Sequence, residues 1–364
     1  MAERPILKFK KKAPSLKFKT RDKSPPKIMK KLDIKLTQKH SGIPLRLGYA
    51  CLNMTISQGS KSPACVNRSC IADTFTKKGV DYVVGLAMSN LKNVLKVLKW
   101  NEEKGIRFYR LSSNMLPHCT NPNFIKDGSK YAYDLEQFRP ICEQIGQYAR
   151  DMEHRLTYHP GQFDQVGTPN REVFEKTKTD LAMHADMLDM MGMGPDSVMI
   201  VHGGGTYGDK PTTMKRWAKQ FAELPENVRN RLVIENCEKC YSPLDMLELS
   251  DLINRPVVFD THHHTCYSNE VQKLPDPREF LPKIIETWRR VGVKPKFHIS
   301  EQDPTKRVGA HSQYVEVIPD YLLELIKGGV NIDLMIEAKC KELAVHHLYR
   351  KYCVLYKGIW YLDN

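Results

Sequence analysis

A (β/α)8 TIM barrel, an α/β fold with a metal site at the C-terminal ends of its strands, is what the sequence predicts. Three observations predict it. Eight short apolar stretches recur from Arg46 onward, segments with helical periodicity fill the gaps between them, and six successive stretches end on an ionisable side chain. Alternation of strand and helix with near-continuous apolar strands implies a parallel sheet covered on both faces. Eight repeats suggest closure into a barrel. A doubly wound open sheet normally has fewer strands, and no G-x-G-x-x-G fingerprint follows the first one.

In chain order the first stretch is "RLGYAC" (46–51). The connection from Ser57 to Asp73, rich in Ser, Pro, Cys and basic residues, reads as a functional or mobile loop on the strand-end face. "MSNLKNVLKVLKWNEEKG" then places Leu91, Leu95 and Leu98 on one helical face and stops at a glycine, as helix C-termini commonly do. The strands "IRFYRL" (106–111), "RLTYHP" (155–160), "SVMIVHGGG" (197–205), "RLVIEN" (231–236), "PVVFDT" (256–261), "PKFHIS" (295–300) and "DLMIEA" (333–338) follow. Among the intervening segments, "DLEQFRPICEQIGQYARDM", "NREVFEKTKTDLAMHADMLDMMG" and "DPREFLPKIIETWRRVG" repeat the helical pattern. After Glu337 the chain begins as a basic helix and ends in "GIWYLDN". The expected organisation is a basic arm over 1–43, the barrel over 44–343 and a C-terminal extension over 344–364.

Charge is unevenly placed. Residues 1–40 hold 14 of the 56 Lys and Arg but 3 of the 42 Asp and Glu, so most of the net charge of +14 belongs to this arm. Its repeated "LKFK", its paired prolines Pro25 and Pro26 and its self-repulsion predict disorder. Such an arm either adds non-specific phosphate contacts or acts as a localisation signal, or it is a solubilising extension. No apolar run approaches the roughly 18–20 residues a membrane span needs, and lysines interrupt any signal-peptide core. Ten cysteines without framework spacing point to an intracellular protein with reduced thiols.

The strand ends carry the chemistry. His159 closes the third strand, His202 the fourth, Glu235 the fifth and Asp260 the sixth, with His263 three residues on. Lys296 and His298 lie in the seventh, His311 in the loop beyond it, and Glu337 closes the eighth. In a barrel these ends face one small region. Three carboxylates gathered there would repel, and at least one would take up a proton unless cations neutralised them. Mixed imidazole and carboxylate ligands suit Zn2+, Mn2+, Fe2+ or Co2+. Glu235 is placed to bridge two ions, and closely spaced ions clamp a phosphodiester and acidify a bound water. His262 and His264 are expected to support the ligands. His118, His154, His184, His346 and His347 read as ordinary hydrogen-bonding residues. "CEKC" (237–240) is a lone C-x2-C without a second pair, so a structural zinc site is not expected.

At "HPGQ", "HGGG.YG", "IEN", "FDT.HH", "K.HIS.QD", "GAH" and "EAK.KE", and in its opening "RLGY...N", the chain resembles the UV damage endonucleases from about Arg46 to about Leu343. The resemblance implies incision of damaged double-stranded DNA immediately 5′ of UV photoproducts without ATP, leaving 3′-hydroxyl and 5′-phosphate ends. It implies up to three divalent ions, usually Mn2+. His159, His202 and Glu235 would hold one, Glu235, Asp260, His298 and Glu337 a second, and His263 and His311 a third. Lys296 matches a lysine that is carboxylated in this family. Glu235, Lys296 and His298 take the catalytic roles. Tyr49 and Asn53 match residues of the first strand-end loop that contact the lesion. Gln162 and Phe163 match a glutamine–aromatic pair, usually glutamine–tyrosine, so a hydrogen bond through the missing hydroxyl is lost. "SSN" (112–114) stands where some relatives have a histidine, and Asn114 receives no metal role. The expected protein is a monomer acting at DNA inside the cell, in the nucleus if eukaryotic. The alternatives are an abasic-site endonuclease of the endonuclease IV type, a sugar isomerase on the same barrel and a DNA-binding protein without catalysis.

Overall fold

Each of the eight apolar stretches forms a strand: β1 (Leu45–Ala50), β2 (Phe108–Arg110), β3 (Arg155–Thr157), β4 (Met199–His202), β5 (Leu232–Glu235), β6 (Val257–Val258), β7 (Lys296–Ile299) and β8 (Ile332–Ile336). The structure, a computed structural model, describes residues 45–58, 63–125 and 129–363. The basic arm lies outside the described residues, as does part of the Ser57–Asp73 connection.

All paired strands among these eight run parallel. Two arcs, β3-β2-β1-β8-β7 and β4-β5-β6, have regular ladders. Single parallel bridges span the two seams, Tyr158 to Met199 and Asp260 to His298. Backbone bonds hold them, with Tyr158 N–H donating to Val198 at 3.0 Å and His298 N–H to Phe259 at 3.0 Å. Helices connect the strands, and the longest, Val80–Glu103, lays Leu91, Val94 and Leu98 against the core. Side-chain caps start several of them: Asn170, Asp209, Ser242 and Asp276 each accept a backbone N–H in the first turn. Among the described residues no helix is long and apolar enough to cross a membrane.

Strand alternation sorts side chains between helices and barrel interior. On β1, Leu45, Leu47 and Tyr49 join the main core under the helices. Ala50 instead meets Phe108 and Met335 in a small separate cluster. Gly48 has no side chain because Phe108 occupies the interior there: a Cβ would lie 2.4 Å from the Phe108 carbonyl oxygen. On β8, Asp333, Met335 and Glu337 fall on one parity, and on β7 Lys296 and His298 do.

Asp333 lies near the N-terminal end of this interior and is fully buried. It accepts from Arg46 Nε and Nη2 at 2.8 Å each, Arg155 Nη1 at 2.9 Å and Lys294 Nζ at 2.6 Å. Burial opposes its ionisation, but Arg46, Lys294 and Arg155 hold its carboxyl far below the usual range. Three cations from three strand starts thus share one anion.

The chain beyond residue 343 departs from the expected extension. The boundary falls inside a helix, Lys341–Tyr352, which leads into an antiparallel hairpin of β9 (Cys353–Tyr356) and β10 (Ile359–Leu362). Trp360 stacks on Tyr349 with centroids 4.8 Å apart, and its indole N–H donates to Lys104 O. The hairpin therefore packs against the barrel through an aromatic pair that periodicity within each short strand did not announce.

Removing the shared anion leaves buried cations uncompensated. Asp333→Ala is expected to lower unfolding free energy by about 3–5 kcal/mol in urea titration. A loss below about 1 kcal/mol would show that the cluster does not hold the barrel together.

Candidate metal centre

At the opposite pole, strand-end side chains converge on Glu235, which is fully buried at the end of β5. Its Oε1 accepts from His298 Nδ1 at 2.6 Å and its Oε2 from His159 Nε2 at 3.0 Å. His202 Nε2 lies 3.7 Å from Oε2, and His263 Nδ1 3.9 Å from Oε1. Burial opposes ionisation of Glu235, but His298 and His202 hold it well below the ordinary carboxylate value.

Asp260 follows β6 and caps the helix Thr261–Glu270, its Oδ1 accepting from His263 N–H at 2.7 Å. The three histidines are therefore successive positions of a helix, about 100° apart, and point three ways. His263 faces Glu235 and Asp260. His262 has His311 as a ring neighbour at 5.9 Å. His264 packs between Phe259 and Phe280 in the core, where burial lowers its pKa to about 4. His263 moves the other way: burial is outweighed by Asp260 and Glu235, and it rises to about 10.

Two groups have ligand atoms within 4.8 Å of one another: His159, His202 and Glu235, and Glu235, Asp260 and His298. At that separation two carboxylates repel by roughly 3.5 kcal/mol at an effective dielectric of about 20. Asp260 Oδ2 and His202 Nδ1 are also buried without a hydrogen-bond partner among the described residues. A buried carboxylate oxygen lacking a donor is costly, and a cation satisfies both the charge and the lone pair. The mixed N/O donor set fits Mn2+, Zn2+, Fe2+ or Co2+.

Glu337, just past β8, is 3.4 Å from His298 Nδ1 and 3.8 Å from His311 Nδ1. Arg110 ion-pairs with it, and although burial opposes ionisation, Arg110 and His298 keep Glu337 well below the usual value. Lys296 is fully buried, and its amine contacts His298 Nε2. Burial, reinforced by Arg110, holds its pKa well below the ordinary lysine value.

Two supporting residues were not singled out in the sequence. Arg110 occupies the end of β2, which like β1 was assigned no metal ligand from the sequence; its parity with Phe108 is the signal that finds it. Asn236, within "IEN", donates to Asp260 O at 3.0 Å and accepts from Asp260 N–H at 2.9 Å, while its carbonyl accepts from His263 Nδ1 at 3.0 Å. It fixes the β5–β6 register at the site.

The expected DNA-contact residues divide. Gln162 and Phe163 are exposed just beyond His159, with Phe163 79% accessible. Tyr49 and Asn53 are fully buried. Asn53 Nδ2 donates to Tyr49 Oη at 2.8 Å, which donates to Asn101 at 2.7 Å. Tyr49 has the parity that faces the helices, so in this arrangement the pair braces the first strand-end loop and offers no surface to a ligand. His118, His154 and His184 have partners away from the site, namely Cys70 O, Glu102 and Asp180.

A sequence model described as "UV-endonuclease UvdE" matches residues 45–359. The chain is 39% identical over 311 residues to a protein of Acanthamoeba polyphaga mimivirus named "Putative UV-damage endonuclease", covering 85% of this chain and 91% of that protein. It is 37% identical over 317 residues to the UV-damage endonuclease of Schizosaccharomyces pombe, covering 84% of this chain but half of that longer protein. The crystal structure of SacUVDE superposes with a TM-score of 0.70 at 26% identity, covering 82% of this chain and 95% of the other. The chain belongs to the UV-endonuclease UvdE family.

Proposed function

We propose that this chain incises duplex DNA immediately 5′ of UV photoproducts, cyclobutane dimers and 6-4 photoproducts alike, leaving 3′-hydroxyl and 5′-phosphate ends without ATP. The observation that carries the reading is the pair of ligand groups sharing Glu235, in a chain of this family. His159, His202 and Glu235 would hold one divalent ion, Mn2+ first among the candidates. Glu235, Asp260, His298 and Glu337 would hold a second, and His263 and His311 a third. When bound, such ions neutralise phosphodiester charge and lower the pKa of a water.

The chain's own residues prepare the site for this. Arg110 holds Glu337 in place, and Asn236 fixes Asp260 and His263. Burial and Arg110 favour the neutral form of the Lys296 amine, the form that is a nucleophile for carbon dioxide, and its carboxylation would place an anion beside His298.

Lesion recognition falls to Gln162 and Phe163. A UV dimer stacks and pairs poorly, so extruding it costs less than extruding normal nucleotides. Phe163 is placed to stack in the gap, with Gln162 bonding to the bases left behind. Recognition then rests on deformability and tolerates several lesions. The tip is a turn closed by Asp164 N–H to Gly161 O at 2.9 Å. Burial and the neighbouring Asp180 charge push the Asp164 carboxyl up to about 9, so it meets Asp180 as a neutral acid. Thr120 Oγ1 donates to Asp180 at 2.6 Å from the other side.

Duplexes carrying a dimer, an abasic site or no lesion test the reading. Incision of the dimer duplex, lost with chelator and restored by Mn2+, is expected; cutting of the abasic duplex alone would sink it. Glu235→Gln is expected to lower incision at least about 100-fold, since even outer-shell partners are worth 10–100-fold, with damaged-DNA binding retained. Phe163→Ala is expected to weaken binding of the dimer duplex about 5- to 150-fold in gel-shift titration, with undamaged duplex unchanged. Because the folded pKa of Asp164 lies above its unfolded value of about 4, its contribution to stability is full below that pH and declines as pH rises toward 9. Urea midpoints of Asp164→Asn should therefore fall less between pH 5 and about 9 than those of the unsubstituted protein; equal slopes would place the titration elsewhere.

A further inference from the structure

The C-x2-C turn lies directly downstream of Glu235 and is not used by the chemistry above. Cys237 N–H donates to Tyr241 O at 2.9 Å and closes the turn. Cys240 N–H and Tyr241 N–H both donate to Cys237 Sγ, at 3.2 and 3.3 Å. The Cys240 N–H to Cys237 Sγ contact brings the two residues together across the turn, and both are partly exposed. Other cysteine sulfurs face different chemistry: Cys65 meets Asn67, Cys266 meets His262 and Cys340 meets Gln313.

The turn touches the metal centre on two sides. Cys237 follows Asn236, which positions Asp260 and His263. Tyr241 is buried, and its ring fills the space that a side chain at Gly203, next to His202, would need: a Cβ there would be 2.6 Å from the ring. Its hydroxyl donates to Gly205 O at 3.3 Å. A change at Cys237 and Cys240 is therefore passed to the segments carrying Glu235 and His202.

We propose that Cys237 and Cys240 form a reversible intrachain disulfide that weakens metal binding, making the nuclease sensitive to oxidising conditions. The oxidant is a low-molecular-weight disulfide such as glutathione disulfide. The Cys240 sulfur, as thiolate, attacks one sulfur of that disulfide; its S–S bond breaks and one thiolate leaves and takes up a proton. Cys237, losing its proton, then attacks the Cys240 sulfur of the mixed disulfide and expels the second thiol. The net change is two protein thiols oxidised and one small disulfide reduced to two thiols. A disulfide sulfur is a weaker acceptor than the thiol it replaces, so the buried Tyr241 N–H loses its partner and the turn shifts against Gly203.

The coupling rests on the metal-centre reading, and the test separates the two. The full chain is incubated with reduced or oxidised glutathione. Peptide mapping locates the crosslink, and the electron paramagnetic resonance signal of free Mn2+ gives its affinity. The expected result is a Cys237–Cys240 crosslink with Mn2+ bound about 10- to 100-fold more weakly, the range for supporting residues around metals. Dithiothreitol should restore binding, and Cys240→Ser should bind Mn2+ alike in both conditions. Absence of the crosslink, or a crosslink with unchanged Mn2+ affinity, overturns the proposal while leaving the metal centre standing. Failure of the reduced protein to bind Mn2+ overturns the metal-centre reading and the coupling with it.

Discussion

A carboxylate taken wholly out of water must be met by donors or by a cation, and the strand-end pole of the barrel is built around that constraint at Glu235. His159 and His298 reach it directly, and His202 and His263 stand within 4 Å. The four imidazoles come from β4, β7, the loop after β3 and the helix after β6, so only a closed arrangement of strands can bring them together. Glu235 belongs to both potential ligand groups. Its neighbours extend its influence, because Asn236 holds Asp260 and the next residue opens the cysteine turn.

The same barrel interior holds a second buried anion at its other end, with a different solution. Asp333 is saturated by three cations and has nothing left to offer a ligand. Phe108 and Met335 lie between the two poles and belong to a cluster separate from the main core. A saturated ion cluster thus lies at the strand starts and the candidate metal ligands at the strand ends, the division expected of this architecture. Lys296 sits between them, buried, with Phe108 on one side and His298 on the other.

The ligand-facing loops are held by polar contacts of their own. The phenylalanine at the tip after His159 is exposed, and the turn that presents it is closed by the backbone bond from Asp164 N–H to Gly161 O. Tyr49 and Asn53 do the reverse: they are polar groups turned inward, satisfied by one another and by Asn101. Motif matching alone gave both pairs the same role, because a motif records residue identity and not the side of the strand a residue occupies.

The eight strands, four of the helices between them and the nine ionisable candidates near the strand ends were legible in the chain, because apolar runs and their abrupt polar stops are local properties. Strand parity, also local, would have found Arg110 and turned Tyr49 toward the helices. Tertiary contacts alone set which candidate ligands share Glu235, that the three histidines diverge as one helical turn, that Asp333 gathers three cations and that the C-terminal hairpin packs on the barrel. Those outcomes depend on which strands become neighbours and on contacts between residues about 300 positions apart, such as Arg46 with Asp333 and Leu47 with Tyr349. Such distances are set by ring closure and packing, which no window of sequence contains.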